Sequence, residues 1–92
     1  MKDHLRGYLT RLHAALATIS AEQLAELSDR LYRSYQDGKQ VFVLGNGGSA
    51  STASHMAADL AKNTIGANMR RFRIMSLNDN VPMMTALAND MG

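Results

Sequence analysis

His55 and Asp59 place an imidazole and a carboxylate four residues apart near the middle of this 92-residue chain. In a helix this spacing brings both side chains to one face, and Ser51 lies on the same face one turn earlier. An imidazole beside a carboxylate suits general acid–base catalysis or shared coordination of a zinc-like metal. From spacing alone, a solvent-exposed surface pair is the more frequent explanation, and two ligands are too few for a metal site.

A glycine-rich segment, Gly45-Asn-Gly-Gly-Ser49, lies just upstream of this pair and follows an apolar, strand-like run. Glycines let a ligand approach the backbone closely. The N–H groups and the dipole at the start of a helix favour a phosphate or another anion. Asn46 and Ser49 add polar side chains. A plain tight turn is the alternative, but three glycines and a serine at a strand–helix junction favour a ligand-binding loop.

The same loop formally fits a dinucleotide-binding fingerprint, with Gly45, Gly47 and Ala50 at the required spacing. Asp79 would then be the ribose-binding acid, but it lies further downstream than the usual distance of about 20 residues. Two predicted helices also precede the first strand, whereas the fingerprint commonly opens its domain. We therefore interpret Asp79 as a turn or helix-capping residue.

Residues 1–38 are predicted to form a helical hairpin. The apolar residues of the first helix recur at alternating spacings of four and three, which is typical of a helix that packs in a bundle. Ser20 to Gln23 is a capping-box pattern that opens the second helix, and Gly38 stands where a C-terminal glycine is expected. The apolar stripe of the first helix consists of Leu5, Leu9, Leu12, Leu16 and Ile19.

Residues 39–92 are predicted to form two strand–helix units. The strands would span 41–44 and 72–77, and the helices 49–62 and 81–88, with a turn and an N-cap at Asn78-Asp-Asn80. This order is the beginning of a doubly wound α/β domain. Two parallel strands are too few for a stable sheet. We therefore expect either a longer domain or other chains to complete it.

Composition excludes several classes of protein. The chain has no cysteine, so disulfides and thiolate chemistry are excluded, and its net charge of +2 gives no strong case for a nucleic-acid or membrane partner. No apolar run approaches the roughly 20 residues of a membrane span. The charged start, MKDHLRGYL, is unlike a signal peptide. These features predict a cytoplasmic protein without a nucleic-acid or membrane partner.

The stretch LGNGGSASTASHMAADL resembles the sugar isomerase (SIS) domain family, and within it the phosphoheptose isomerases. The similarity runs from the N-terminal helices to the Ala-Asn-Asp at 88–90, so the chain is expected to be a single partial SIS domain. The resemblance implies a three-layer α/β/α sandwich with a parallel, flavodoxin-like sheet. It also implies a homotetramer in which the N-terminal helices pack together.

The resemblance implies a role for each matching residue. His55 matches a histidine that binds zinc in some members, and Asp59 stands where those isomerases have a glutamate that acts as catalytic base or metal ligand. Asp90 matches an aspartate that contacts the substrate. The residues expected to hold the phosphorylated sugar are Asn46, Gly47, Gly48, Ser49 and Asp90.

Two features depart from the family pattern. Asp59 is one methylene shorter than glutamate, and a misplacement of about 1 Å can cost roughly 100-fold in rate. The helix ends with Lys62 and its neighbours, where the isomerases have a glycine–arginine pair. Either Lys62 or the pair Arg70-Arg71 would replace that positive charge. The alternative is that these residues are only solvent-exposed basic residues that precede the second strand.

The function implied is the isomerisation of sedoheptulose 7-phosphate to D-glycero-heptose 7-phosphate through an enediol, with zinc as a candidate cofactor. The alternative is a SIS module that binds a phosphosugar or a protein, such as a replication initiator, without catalysis. The family's second phosphate loop, its catalytic histidine and a metal-binding glutamine are not found in these residues. Residues 1–92 alone are therefore expected to be inactive.

Overall fold

The computed structural model describes residues 1–64, 66 and 69–92. The chain divides into two compact units, Met1–Arg30 and Leu31–Gly92. The order of helices and strands is the predicted one. The elements are α1 (Lys2–Leu16), α2 (Ala21–Gln36), β1 (Val41–Val43), α3 (Gly48–Ala58), β2 (Ile74–Ser76) and α4 (Val81–Met91).

The first unit contains α1 and most of α2, and its apolar side chains are largely open to solvent. Ser20 begins α2 as expected, because its Oγ accepts a hydrogen bond from the N–H of Gln23 at 3.2 Å. The side chains of the predicted stripe remain 43–60% exposed. Such a continuous apolar face is available to a partner. The packing of residues 1–38 as a hairpin, and their use in a tetramer, stay predictions.

The end of α2 confirms the predicted role of Gly38. This glycine has φ of +65°, a conformation that side chains with a Cβ rarely adopt. The N–H of Gly38 donates to the carbonyl of Tyr35, and the N–H of Lys39 donates to the carbonyl of Ser34. This pair of bonds is a Schellman motif, which ends the helix and turns the chain into β1.

The sheet consists of β1 and β2, which pair in parallel with Val41 opposite Ile74 and Val43 opposite Ser76. Helix α3 packs on one face, where Ala53, Ala57 and Ser76 are buried. On the other face, Phe42 is 55% exposed and Met75 is 53% exposed. The small alanines let α3 approach the strands closely. The arrangement is a partial α/β fold in which one helical layer covers one side of a short parallel sheet.

Both strands are shorter than predicted because neighbouring residues take other roles. After Ser76 the chain curls into a 3₁₀ turn, Leu77–Asp79, which leads to α4. Asn80 caps α4 as predicted, since its Oδ1 accepts a hydrogen bond from the N–H of Met83 at 3.3 Å. None of the helices in the described part of the chain combines the length and the apolar character that a membrane span requires.

Arg70, at the lead into β2, holds the end of α2. Its Nη2 donates to the carbonyls of Tyr35 and Gln36 at 3.2 and 2.9 Å. Its guanidinium also lies 5.6 Å from the centroid of the Tyr35 ring, which in turn stacks on Phe72. A cation at a helix C-terminus is favourable. The structure therefore gives Arg70 a helix-capping role. The sequence had suggested either replacement of the family's arginine charge or a solvent-exposed basic residue, and neither interpretation included this role.

We predict that Arg70→Ala lowers the free energy of unfolding by about 1 kcal/mol, because the last carbonyls of α2 lose a charged donor. The matched control is Arg71→Ala. Arg71 is exposed and forms no hydrogen bond or ion pair with the other described residues, so the change should stay within about 0.5 kcal/mol. Urea denaturation followed by circular dichroism measures both. Equal effects of the two substitutions would contradict the capping role.

Candidate functional site

The glycine loop leaves β1 and turns sharply into α3, and its first residue can only be glycine. A Cβ on Gly45 would lie 2.5 Å from the backbone carbon and oxygen of Ser49. Real Cβ atoms do not approach backbone atoms so closely. The absence of a side chain therefore lets the first turn of α3 fold back against the end of β1.

The middle of the loop contains a second position that favours glycine, and the space beside the next residue is open. Gly47 has φ of +54° and precedes the first residue of α3. A Cβ on Gly48 would have no atom within 4 Å. The N–H groups of Ser49 and Ala50 donate to the carbonyls of Asn46 and Gly47 at 2.9 and 3.0 Å.

This bonding pattern defines which donors the loop offers to a ligand. Among the described residues, the N–H groups of Gly47 and Gly48 have no acceptor. Asn46 and Ser49 are exposed and lie beside them. Two backbone donors and two polar side chains thus lie together at the positive end of α3, an arrangement that suits an anion.

His55 on α3 and Asp59, the first residue after α3, project from one helical face, as their spacing predicted. His55 Nε2 lies 3.6 Å from Asp59 Oδ1, and the side chains are 79% and 49% exposed. They line an open groove of about 510 Å³, whose residues all belong to the second unit. The groove is lined by Leu31, Ser51, Thr52, His55, Met56, Asp59 and Leu60.

The groove combines an apolar wall with polar groups. The long side chains of Leu31, Met56 and Leu60 supply the apolar part, while the pair and the hydroxyl groups of α3 supply the polar part. Ser51 and Thr52 stand between the glycine loop and the pair along the helix. A ligand with an anionic end at the loop and a polar, reactive end near His55 would find suitable partners along α3.

The backbone changes its helical form at Asp59. Residues Asp59–Asn63 continue α3 as a π-helix, so the predicted helix is confirmed in extent while its last turn is wider than expected. Single π turns occur frequently at functional sites. Asp59 therefore stands at the junction of the two helical forms.

The pair fits two positions of a zinc site. Two ligands bound tetrahedrally at the usual distances of about 2.0–2.1 Å are roughly 3.3–3.4 Å apart. The 3.6 Å between His55 Nε2 and Asp59 Oδ1 is close to this value. Within residues 1–64, 66 and 69–92, however, no group of three or more histidine, cysteine or acidic residues could hold a metal. Further ligands would have to come from elsewhere.

Asp90 and Asp79 have separate positions. Asp90 is next to the last residue of α4, where its Oδ1 accepts a hydrogen bond from Asn89 Nδ2 at 3.2 Å. Among the described residues it forms no hydrogen bond or ion pair with the loop or with His55, and its role as a substrate contact stays a prediction. Asp79 accepts a hydrogen bond from Ser54 Oγ at 2.5 Å, and it therefore links the 3₁₀ turn to α3.

Sequence reasoning missed one residue beside the loop. Asn78 Oδ1 accepts a hydrogen bond from the N–H of Gly45 at 2.9 Å. The sequence did contain a signal for this contact. Asn78 lies two residues after the end of β2, just as Gly45 lies two residues after the end of β1. Recognising this signal required knowledge of the strand register, which the sequence alone does not provide.

Comparison with known proteins identifies relatives along almost the whole chain. A sequence model described as "SIS domain" matches residues 5–92. The chain is 40% identical over 88 residues to the lincomycin biosynthesis protein LmbN of Streptomyces lincolnensis. It is 33% and 30% identical to the phosphoheptose isomerases of Pelobacter propionicus and Trichlorobacter lovleyi.

The coverage of these alignments is uneven. The alignment with LmbN includes 96% of this chain but only 32% of LmbN. The alignments with the isomerases of Pelobacter propionicus and Trichlorobacter lovleyi include all of this chain, but only 50% and 44% of those proteins. The chain thus spans about a third to a half of the length of these curated relatives. No solved structure matches the chain.

We predict that Gly45→Ala lowers the free energy of unfolding by about 1–3 kcal/mol, because the added methyl group collides with the backbone of α3. Gly48→Ala is the matched control, since its methyl group enters open space. It should change stability by less than about 1 kcal/mol. Chemical denaturation of both variants measures this, and a well-tolerated alanine at position 45 would contradict the observed loop geometry.

Proposed function

The chain belongs to the SIS domain family, and we propose that the protein containing it is an isomerase that interconverts a ketose phosphate and an aldose phosphate. The single observation that carries this proposal is the His55–Asp59 pair, which lies in one groove about two helical turns from the glycine loop. Relatives named phosphoheptose isomerase, at 30–33% identity, support it.

The phosphate group of the substrate binds at the glycine loop in this proposal. The N–H groups of Gly47 and Gly48 donate to phosphate oxygens, and the side chains of Asn46 and Ser49 add hydrogen bonds. The positive end of the α3 dipole favours the negative charge. Binding at this end places the remainder of the sugar along α3, towards His55.

Asp59 acts as the catalytic base on the reactive end. Its carboxylate removes the proton from the carbon next to the carbonyl, and the electron pair forms an enediol. The protonated carboxyl group then gives a proton to the neighbouring carbon, so the carbonyl moves by one position and no atom is gained or lost. His55, at 3.6 Å, orients the carboxylate, and the proton that leaves one sugar oxygen and the proton that reaches the other are exchanged with solvent.

Zinc is the proposed cofactor. His55 and Asp59 would supply two ligands, and the others would come from residues outside those described here. Bound zinc supplies polarisation of the substrate carbonyl. Because no third metal ligand accompanies the pair among the described residues, we expect residues 1–92 alone to be inactive.

The proposed substrate is sedoheptulose 7-phosphate, and the proposed product is D-glycero-heptose 7-phosphate. The proposed location of the protein is the cytoplasm. The proposed assembly is a homotetramer that covers the exposed apolar stripe of α1. The 40% identity to a lincomycin biosynthesis protein favours a second candidate, an isomerase of the same mechanism with a different sugar phosphate. Assay of the full-length protein with a panel of ketose phosphates of different chain length separates the two.

We predict that Asp59→Asn in the full-length protein lowers kcat at least roughly 100-fold, because an amide cannot accept the substrate proton. Asp29→Asn on α2 is the control for loss of an acidic charge, and it should keep the parent rate. Turnover is followed by NMR of the sugar phosphates, and folding by circular dichroism. An Asp59→Asn variant that turns over at the parent rate would show that the base lies elsewhere.

We also predict that His55→Ala greatly reduces the zinc that copurifies with the full-length protein, because the metal loses a nitrogen ligand. His13→Ala on α1 is the matched control and should leave the zinc content unchanged. Metal analysis by mass spectrometry gives the number of zinc ions per chain. A parent protein without zinc, or a His55→Ala variant with the full amount, would exclude this histidine as a ligand.

A further inference from the structure

The hydrogen bond between Asn78 and Gly45 continues the sheet beyond its last backbone rung. The ladder runs from Val41 opposite Ile74 to Val43 opposite Ser76. Two residues further along each strand, the same register places Gly45 opposite Asn78. The backbone no longer pairs there, because Leu77–Asp79 has curled into the 3₁₀ turn.

The side chain of Asn78 supplies the acceptor that the backbone of the neighbouring strand no longer provides. Its Oδ1 lies 2.9 Å from the N–H of Gly45, in a partly buried position. The Asn78 backbone is held in turn, since its N–H donates to the Oγ of Ser76, which is buried. A buried N–H group without an acceptor is unfavourable. Asn78 thus provides the hydrogen-bond acceptor for the N–H of Gly45, the first residue of the glycine loop.

A second bond from the same turn reaches α3 next to the acid–base pair. Ser54 Oγ donates to Asp79 Oδ1 at 2.5 Å and lies 3.5 Å from Ser76 Oγ. Ser54 immediately precedes His55. The turn after β2 therefore holds the loop through Asn78 and holds the middle of α3 through Asp79, although neither side chain lines the groove that contains His55.

We propose that Asn78 is a positioning residue for the glycine loop. It fixes Gly45 and so keeps the N–H groups of Gly47 and Gly48 in place to receive a phosphate. The effect of Asn78 on substrate binding rests on the proposed function, because it assumes a sugar phosphate. The effect of Asn78 on the loop itself does not depend on that assumption. Loss of the acceptor should raise KM for the substrate more than it lowers kcat, because Asn78 acts on the binding end.

The test is hydrogen–deuterium exchange of the Gly45 amide in the full-length protein without substrate. Asn78→Ala removes the acceptor, and exchange at Gly45 should become roughly fivefold to tenfold faster, as expected for one lost hydrogen bond. Asn78→Asp retains an acceptor oxygen and should keep the slow exchange of the parent. Overlapping peptides that differ at residue 45 resolve this amide by mass spectrometry.

Asn80→Ala is the matched control, since it removes the same side chain from the cap of α4, two residues away. It should leave Gly45 exchange unchanged. The proposal is overturned if Asn78→Ala exchanges as slowly as the parent, if Asn78→Asp exchanges as fast as Asn78→Ala, or if Asn80→Ala gives the same acceleration. Where exchange follows the prediction but the parent converts no sugar phosphate, the positioning role stands and the proposed function fails.

Discussion

The close approach of Gly45 to the first turn of α3 is the constraint on which the candidate site depends. A Cβ at this position would lie only 2.5 Å from the Ser49 backbone, so no other residue lets α3 begin so close to the end of β1. This approach directs the start of α3, and its first N–H groups, to the end of the strand. It also sets the direction in which α3 carries His55 and Asp59 away from the loop.

The two chemical functions of the site thus share one helix. The N–H groups proposed to bind phosphate lie at its start, and the His55–Asp59 pair proposed for catalysis lies further along, where the helix widens into a π turn at Asp59. A rigid element fixes the separation of the two functions better than separate loops would. The groove itself is open, and the pair is largely exposed. In the proposed isomerase, other parts of the protein would have to cover the groove to exclude water from the sugar.

Much of this arrangement was predictable from the sequence, for physical reasons that differ between elements. The capping role of Ser20 and the glycine at position 38 depend on local backbone geometry, so their residue types predicted them. The shared face of His55 and Asp59 follows from helical periodicity. The roles of Asn78 and Arg70 were not predictable, because each depends on a residue more than thirty positions away. The π turn has no comparable signature in the sequence.

The most direct test of the account follows sedoheptulose 7-phosphate by NMR in D₂O, with the full-length protein and zinc. The account predicts a new aldose phosphate that carries deuterium at the carbon that receives the proton, because the base exchanges its proton with solvent at the enediol stage. A substrate that binds but shows neither conversion nor deuterium incorporation would contradict isomerisation of this sugar and favour either another sugar phosphate or a binding module without catalysis.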